Sequence, residues 1–184
     1  MRPTIPIRLA FIALIAWASI ALADTVASRS AELRLEEDHY VLDADFDFVL
    51  NATLEEAIGR GVPLYFVVEF DLWRPRPLWF DDLVASQTIT YRVSYNALTR
   101  QYRLSTGGAF YQTVPSLDEV TRIIGRVRGR SVVDKAVLLK GVRYEAAVRL
   151  RLDTTQLPKP FQLTTLTSRE WNLQSDWVRW SFTP

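Results

Sequence analysis

The chain has 184 residues, 48% of them hydrophobic and 23% charged, with a formal net charge of +1, one histidine and no cysteine. Disulfides and thiol nucleophiles are thereby excluded, and the usual zinc ligand sets cannot be assembled. The near balance of charge disfavours a nucleic-acid binder.

Arg2 and Arg8 lead into an apolar run from Leu9 to Ala18, and Ala21-Leu22-Ala23 stands before Asp24. A positive start, a short apolar core and an A-x-A site are the parts of a secretory signal peptide. The apolar run falls short of the ~20 residues that span a bilayer. Residues 1–23 are therefore expected to be removed by cleavage after Ala23, leaving one β-rich domain over residues 24–184 with no transmembrane span. No cysteine follows the cleavage site, which disfavours a lipid anchor, and an exported domain without disulfides fits the periplasm. From Asp24 to Asp82 there are fourteen acidic and five basic residues; from Leu83 to Pro184 there are seven and fifteen. These charges interleave with apolar residues at strand spacing, so the two halves are expected to fold against each other and neutralise.

Tyr40, Leu42, Ala44, Phe46, Phe48 and Leu50 alternate with Asp43, Asp45 and Asp47, the period of a half-buried strand with an acidic outer face. Those carboxylates are expected to meet Arg149 and Arg151, or other outward arginines, across the sheet. A short helix follows, capped by Asn51 or Thr53 and closed by Gly59 or Gly61. Leu64 to Trp73 is a strand of central character, interrupted by Arg74-Pro75-Arg76-Pro77, which as a non-donating segment reads as an edge, a bulge or a connection. Thr88 to Tyr95 and Gln101 to Ser105 read as a hairpin, with Ala109 to Val114 beyond the Gly107-Gly108 turn. Ser116 and Glu119 have capping-box spacing for a helix ending near Gly125. Ser131 to Leu139 and Arg143 to Leu152 read as strands, Leu157 to Phe161 as a stiff loop, and Trp177 to Phe182 as a last strand. The expected fold is all-β with two short helices, an antiparallel β-sandwich or a partly open barrel.

Catalytic chemistry finds little support. His39 lies in a polar turn, and no Gly-x-Ser-x-Gly elbow accompanies it. Asp43-x-Asp45-x-Asp47 has the spacing that opens a calcium loop, but Phe48 and Leu54 stand where that loop needs glycine and glutamate. On a strand the three carboxylates would be spaced at roughly 6.6 Å and would not converge on one ion. Glu69, Asp71, Asp81 and Asp82 could supply an acid/base pair, though nothing sets two of them at a working separation. The expectation is a non-enzyme with no cofactor and no metal. The strongest surface candidate is Trp73 to Phe80, where Trp73, Arg74, Arg76, Trp79 and Phe80 are the residue types that carry binding energy. Pro75 and Pro77 remove ladder donors and are expected to leave this stretch at a sheet margin, as a binding edge.

Five stretches also carry a resemblance: Leu42-Asp43-Ala44-Asp45-Phe46, Gly61-Val62-Pro63-Leu64-Tyr65-Phe66, Ser94 to Tyr102, Arg151-Leu152-Asp153-Thr154 and Leu157-Pro158-Lys159-Pro160-Phe161. In this order the chain resembles an uncharacterised family of exported proteobacterial proteins, a domain of unknown function. The resemblance implies a Gram-negative periplasmic location. It also implies a gene neighbourhood with a membrane sensor kinase of the nitrogen-regulation type and its response regulator. It transfers no catalytic residues. The leading expectation is an exported interaction domain with a protein partner in the envelope, such as that sensor kinase. A binder of a small hydrophobic or envelope-derived ligand and a carboxylate-based hydrolase stand as alternatives.

Overall fold

The computed structural model describes residues 25–108, 110–165 and 168–184. Its strands are β1 (Thr25–Glu36), β2 (His39–Asp47), β3 (Leu64–Arg74), β4 (Asp82–Asn96), β5 (Gln101–Ser105), β6 (Gln112–Val114), β7 (Arg126–Asp134), β8 (Tyr144–Leu152), β9 (Gln174–Ser175) and β10 (Val178–Phe182). Three helices interrupt them: α1 (Ala52–Gly59), α2 (Leu117–Ile124) and α3 (Lys159–Thr165). The strands form one sheet in the order β6-β5-β4-β3-β8-β9-β1-β2-β7, with β10 also paired to β8. The sheet curls strongly into a half-barrel, the partly open barrel of the two expected architectures. It is mixed, because β1 and β9 run parallel, pairing Thr25 with Gln174 and Val26 with Ser175.

Period-two alternation builds the core. Leu64, Phe66, Val68, Phe70 and Leu72 of β3 are buried on the concave side, as are Tyr144, Ala146, Val148, Leu150 and Leu152 of the neighbouring β8. Phe46 and Leu42 of β2 and Val93 of β4 join the same core. Both anticipated helices are present. Asn51 Oδ1 accepts from Leu54 N (3.0 Å), so Asn51 is the cap of α1, while the Thr53 hydroxyl donates to Glu170 Oε2 (2.8 Å). Ser116 caps α2 by accepting from Glu119 N (3.3 Å). At the other end of α2 the Gly125 carbonyl accepts from Phe46 N (2.8 Å), and a Cβ there would lie well inside contact distance of the Phe46 carbonyl oxygen.

β9 was not anticipated and β4 begins at Asp82, six residues before the expected start; three further elements also depart from the sequence reading. β1 was not anticipated, although Ala31, Leu33 and Leu35 alternate with Glu32, Arg34 and Glu36. β7 begins at Arg126 and ends at Asp134, which caps a 3-10 turn over Lys135–Val137, so the expected Ser131–Leu139 strand is displaced toward the N-terminus. Only Val127 is buried in the first half of β7, and its arginines hid the pattern. Lys159 to Thr165 is helical where a loop was expected. The missing N–H of Pro160 falls in the first turn, where it has no intrahelical partner to lose. Pro158 O closes that turn by accepting from Phe161 N (2.9 Å).

The acidic face of β2 is neutralised by nearer arginines than Arg149 and Arg151. Arg34 Nε donates to Asp43 Oδ2 (2.7 Å), Arg128 Nη2 to Asp45 Oδ1 (2.5 Å), and Arg29 pairs with Asp47. Arg149 and Arg151 instead share Glu69. The register explains this: β8 lies beside β3, opposite Glu69, whereas β2 lies between β1 and β7.

Candidate functional site

Trp73 to Phe80 is not a sheet edge. β3 is flanked by β4 and β8 along most of its length, and Trp73 and Arg74 are still in register with Leu83 and Asp82. Pro75 ends the ladder because it cannot donate, and Arg76 to Asp81 becomes the tip of the β3–β4 hairpin. A bulge between Leu72 and Trp73 twists the hairpin just below that tip.

The tip is apolar and outward. Leu78 is fully exposed, Trp79 is 73% exposed and Phe80 is 87% exposed. Leu78 sits at φ 66°, a left-handed conformation that is strained for a branched side chain. The rings of Trp79 and Phe80 meet edge to face at 6.4 Å. Below them Arg74 and Arg76 both grip Asp82, at 2.6 and 2.7 Å. Hydrogen bonds from Arg76 and Arg74 hold the Asp82 carboxyl below its ordinary pKa. The arginines therefore clamp the hairpin neck, and the aromatics form the free surface. Trp73 belongs to a separate layer on the convex face: its ring meets Trp177 at 6.5 Å, and the Arg179 guanidinium lies 5.8 Å above it. Between this layer and Phe80 is a cleft of about 340 Å³, bordered by Asp81, Glu145 and Arg179.

The same end of the half-barrel carries further apolar surface. Trp73 pairs with Glu145, and Tyr144 pairs with Phe182, whose ring meets Tyr40 at 5.0 Å. The start of β8, the end of β10 and the β1–β2 turn thus lie along one rim with the hairpin tip. Leu35, Leu83, Val137 and Leu139 are also exposed large side chains on this rim. A groove of about 770 Å³ runs between Leu35, Tyr40, Leu138 and Pro184, with Lys135 and Lys140 at its border. Sequence reasoning missed this part, because Val137 and Leu139 were read as strand interior. The signal was Asp134, a residue type that caps turns and here ends β7 by accepting from Ala136 N.

Two of the four carboxylate candidates, Glu69 and Asp82, go to arginines. Glu69 accepts from Arg149 Nε (2.5 Å) and Arg151 Nε (2.8 Å), while Asp82 is taken by the neck. Arg76 N approaches Asp81 Oδ1 at 3.4 Å. His39 begins β2 in register with Asp134. Among the described residues no group of three or more His, Asp or Glu side chains is placed to hold a metal ion. No helix among them is long and apolar enough to cross a membrane.

Fold and surface together define a mostly β half-barrel whose most prominent surface feature is an exposed apolar rim. The family described as Domain of unknown function (DUF4390) matches residues 23–181, and the chain belongs to that family. No curated protein and no solved structure matches it.

Proposed function

We propose that this protein is an exported, non-catalytic interaction domain of the Gram-negative envelope, and that the β3–β4 hairpin tip is its contact surface. The observation that carries the reading is the run Leu78-Trp79-Phe80, three large apolar side chains exposed in succession on a clamped tip. Contiguous exposed apolar surface of this kind marks interaction sites, and tryptophan is among the residues that most often dominate them. Export rests on the signal-peptide pattern of residues 1–23, next to which the family match begins. The partner is an envelope protein. The proteobacterial resemblance and its gene neighbourhood favour a membrane sensor kinase.

Two measurements test this. Intact mass of the protein recovered from the periplasm should correspond to a start at Asp24; a retained leader would make it a tethered domain. Affinity capture from detergent-solubilised envelopes should recover a discrete partner with the wild-type protein and lose it with Trp79→Ser/Phe80→Ser, at an unchanged melting temperature. Equal capture by both proteins refutes the tip as the contact, and loss of stability in the variant places the rings in the fold.

A further inference from the structure

We infer that the open seam of the half-barrel, away from the apolar rim, binds a small amphipathic anion: a carboxylate, phosphate or sulfonate head on an apolar body. β6 and β7 are the two ends of the sheet, and α2 links them. Between β7 and the β4–β5–β6 arm lies a cleft of about 680 Å³, the size of a small-molecule site. Buried Tyr91 and Leu104 lie on one side of it, with exposed Phe110 and Tyr111 at the mouth. The Tyr111 ring is steadied by the Arg103 guanidinium, 4.7 Å from its centroid.

The other wall is cationic. Arg126, Arg128 and Arg130 of β7 all border the cleft, with a bulge at Gly129 between the last two, and no Asp or Glu among the described residues lines it with them. Arg128 is committed: it donates to Asp45 Oδ1 (2.5 Å) and to the carbonyls of Ala44 and Val127. Arg126 and Arg130 form no ion pair among the described residues, and Asp45, the carboxylate that feels Arg126, is already held by Arg128. The excess of fifteen basic over seven acidic residues after Asp82 is therefore only partly neutralised inside the fold.

These facts restrict the ligand's chemistry. A neutral apolar guest would strip water from two guanidiniums and offer them nothing in return. A small inorganic anion would satisfy the forks but leave the aromatic mouth unused. Arginine's planar fork matches carboxylate and phosphate oxygens, and an apolar body attached to such a head would lie against Leu104, Phe110 and Tyr111.

The probe is 8-anilinonaphthalene-1-sulfonate, with the uncharged N-phenyl-1-naphthylamine as its comparison, titrated by fluorescence into the purified protein. The sulfonate should bind saturably and more tightly than the neutral amine. Arg126→Gln/Arg130→Gln should weaken the sulfonate about tenfold or more while leaving the amine and the melting temperature unchanged. Phe110→Ser should weaken both probes, and Trp79→Ser/Phe80→Ser neither. Displacement by dodecanoate identifies a lipid-derived acid as the natural class, and displacement by phenyl phosphate a soluble phosphate ester. Wild-type sulfonate affinity in a folded Arg126→Gln/Arg130→Gln protein overturns the inference, as does loss of binding in the tip variant or displacement by neither competitor. Should the arginine variant fail to fold, the salt dependence of wild-type binding decides: high salt should weaken the sulfonate severalfold, and indifference to salt overturns the site.

Discussion

Replacing Glu69 with glutamine removes the carboxylate that two arginines of β8 share. Arg149 Nε donates to one of its oxygens at 2.5 Å and Arg151 Nε to the other at 2.8 Å. The Glu69 side chain is only 19% exposed and each arginine side chain 28%, so water screens this cluster less than the surface pairs of β2. A hydrogen bond to a charged group contributes about 1.5–3 kcal/mol. Glutamine keeps one acceptor, Arg151 keeps Asp153 at 3.4 Å, and Arg149 keeps the Trp177 ring at 4.5 Å. The net cost should therefore be about 2 kcal/mol, less than the sum of both bonds. For a chain of this size that lowers the melting temperature by about 4–8 °C. Thermal and urea unfolding by circular dichroism measure it, with the denaturant slope unchanged. Burial pushes the Glu69 pKa up, but the hydrogen bonds from Arg151 and Arg149 outweigh it and hold the group below its ordinary value. A folded pKa below the unfolded one contributes stability above the unfolded value and loses it as pH falls through the folded value. The gap between wild type and Glu69→Gln should thus be full at neutral pH and close below about pH 4. A variant within about 0.5 kcal/mol of wild type, or a gap that widens in acid, would refute the assignment of this cluster as a net stabiliser.

Asp45→Asn should cost only about 0.2–1 kcal/mol, because its Arg128 partner is half exposed, whereas Phe46→Ala next to it should cost about 3–5 kcal/mol; urea midpoints compare them. Gly125→Ala should destabilise by about 1–3 kcal/mol, since its methyl meets the Phe46 carbonyl and the β2–α2 contact must open; hydrogen exchange at Phe46 N should speed up accordingly. Asn51→Ala should cost about 1 kcal/mol through lost capping of α1. Its Nδ2 also donates to Glu170 O (2.7 Å), so proteolysis near Glu170 should become faster.

Strands whose two faces differ were legible in the sequence. The alternation in β2, β3 and β8 and the hairpin of β4 with β5 sit close to where period two placed them, and both capping residues were within the expected sets. What failed is informative. β1 sets half-buried Ala31 and Leu33 against charged neighbours, and in β7 the arginines and Gly129 separate buried Val127 from buried Val132 and Val133, so both patterns are faint until β2 is placed between them. The proline pair was correctly read as ending the ladder, but a sequence cannot distinguish a strand at the margin from a hairpin tip: both need unpaired backbone. Trp73 and Trp79 are six residues apart and look equivalent as letters. One stacks in a convex layer with Trp177 and the other stands in solvent, a difference set by the hairpin neck and by β10, which comes some hundred residues later. The arginine cleft was invisible for the same reason, since its walls come from β7 and from the β4–β6 arm.

The two residues of β9 carry a consequence in time. β1, and through it β2 and β7, joins the other strands of the sheet by way of Gln174 and Ser175, and Ser175 Oγ also accepts from Leu150 N at 3.0 Å. A ribosome delivers Thr25 long before Gln174, its parallel partner. The opening strands must therefore wait, paired only among themselves, while most of the chain is made. Contacts this distant in sequence form slowly, because the loop between them has to be closed before they contribute anything. Until that segment arrives no strand pairing joins the two halves of the sheet, which are held together only by the apolar core and by the helical links α1 and α2.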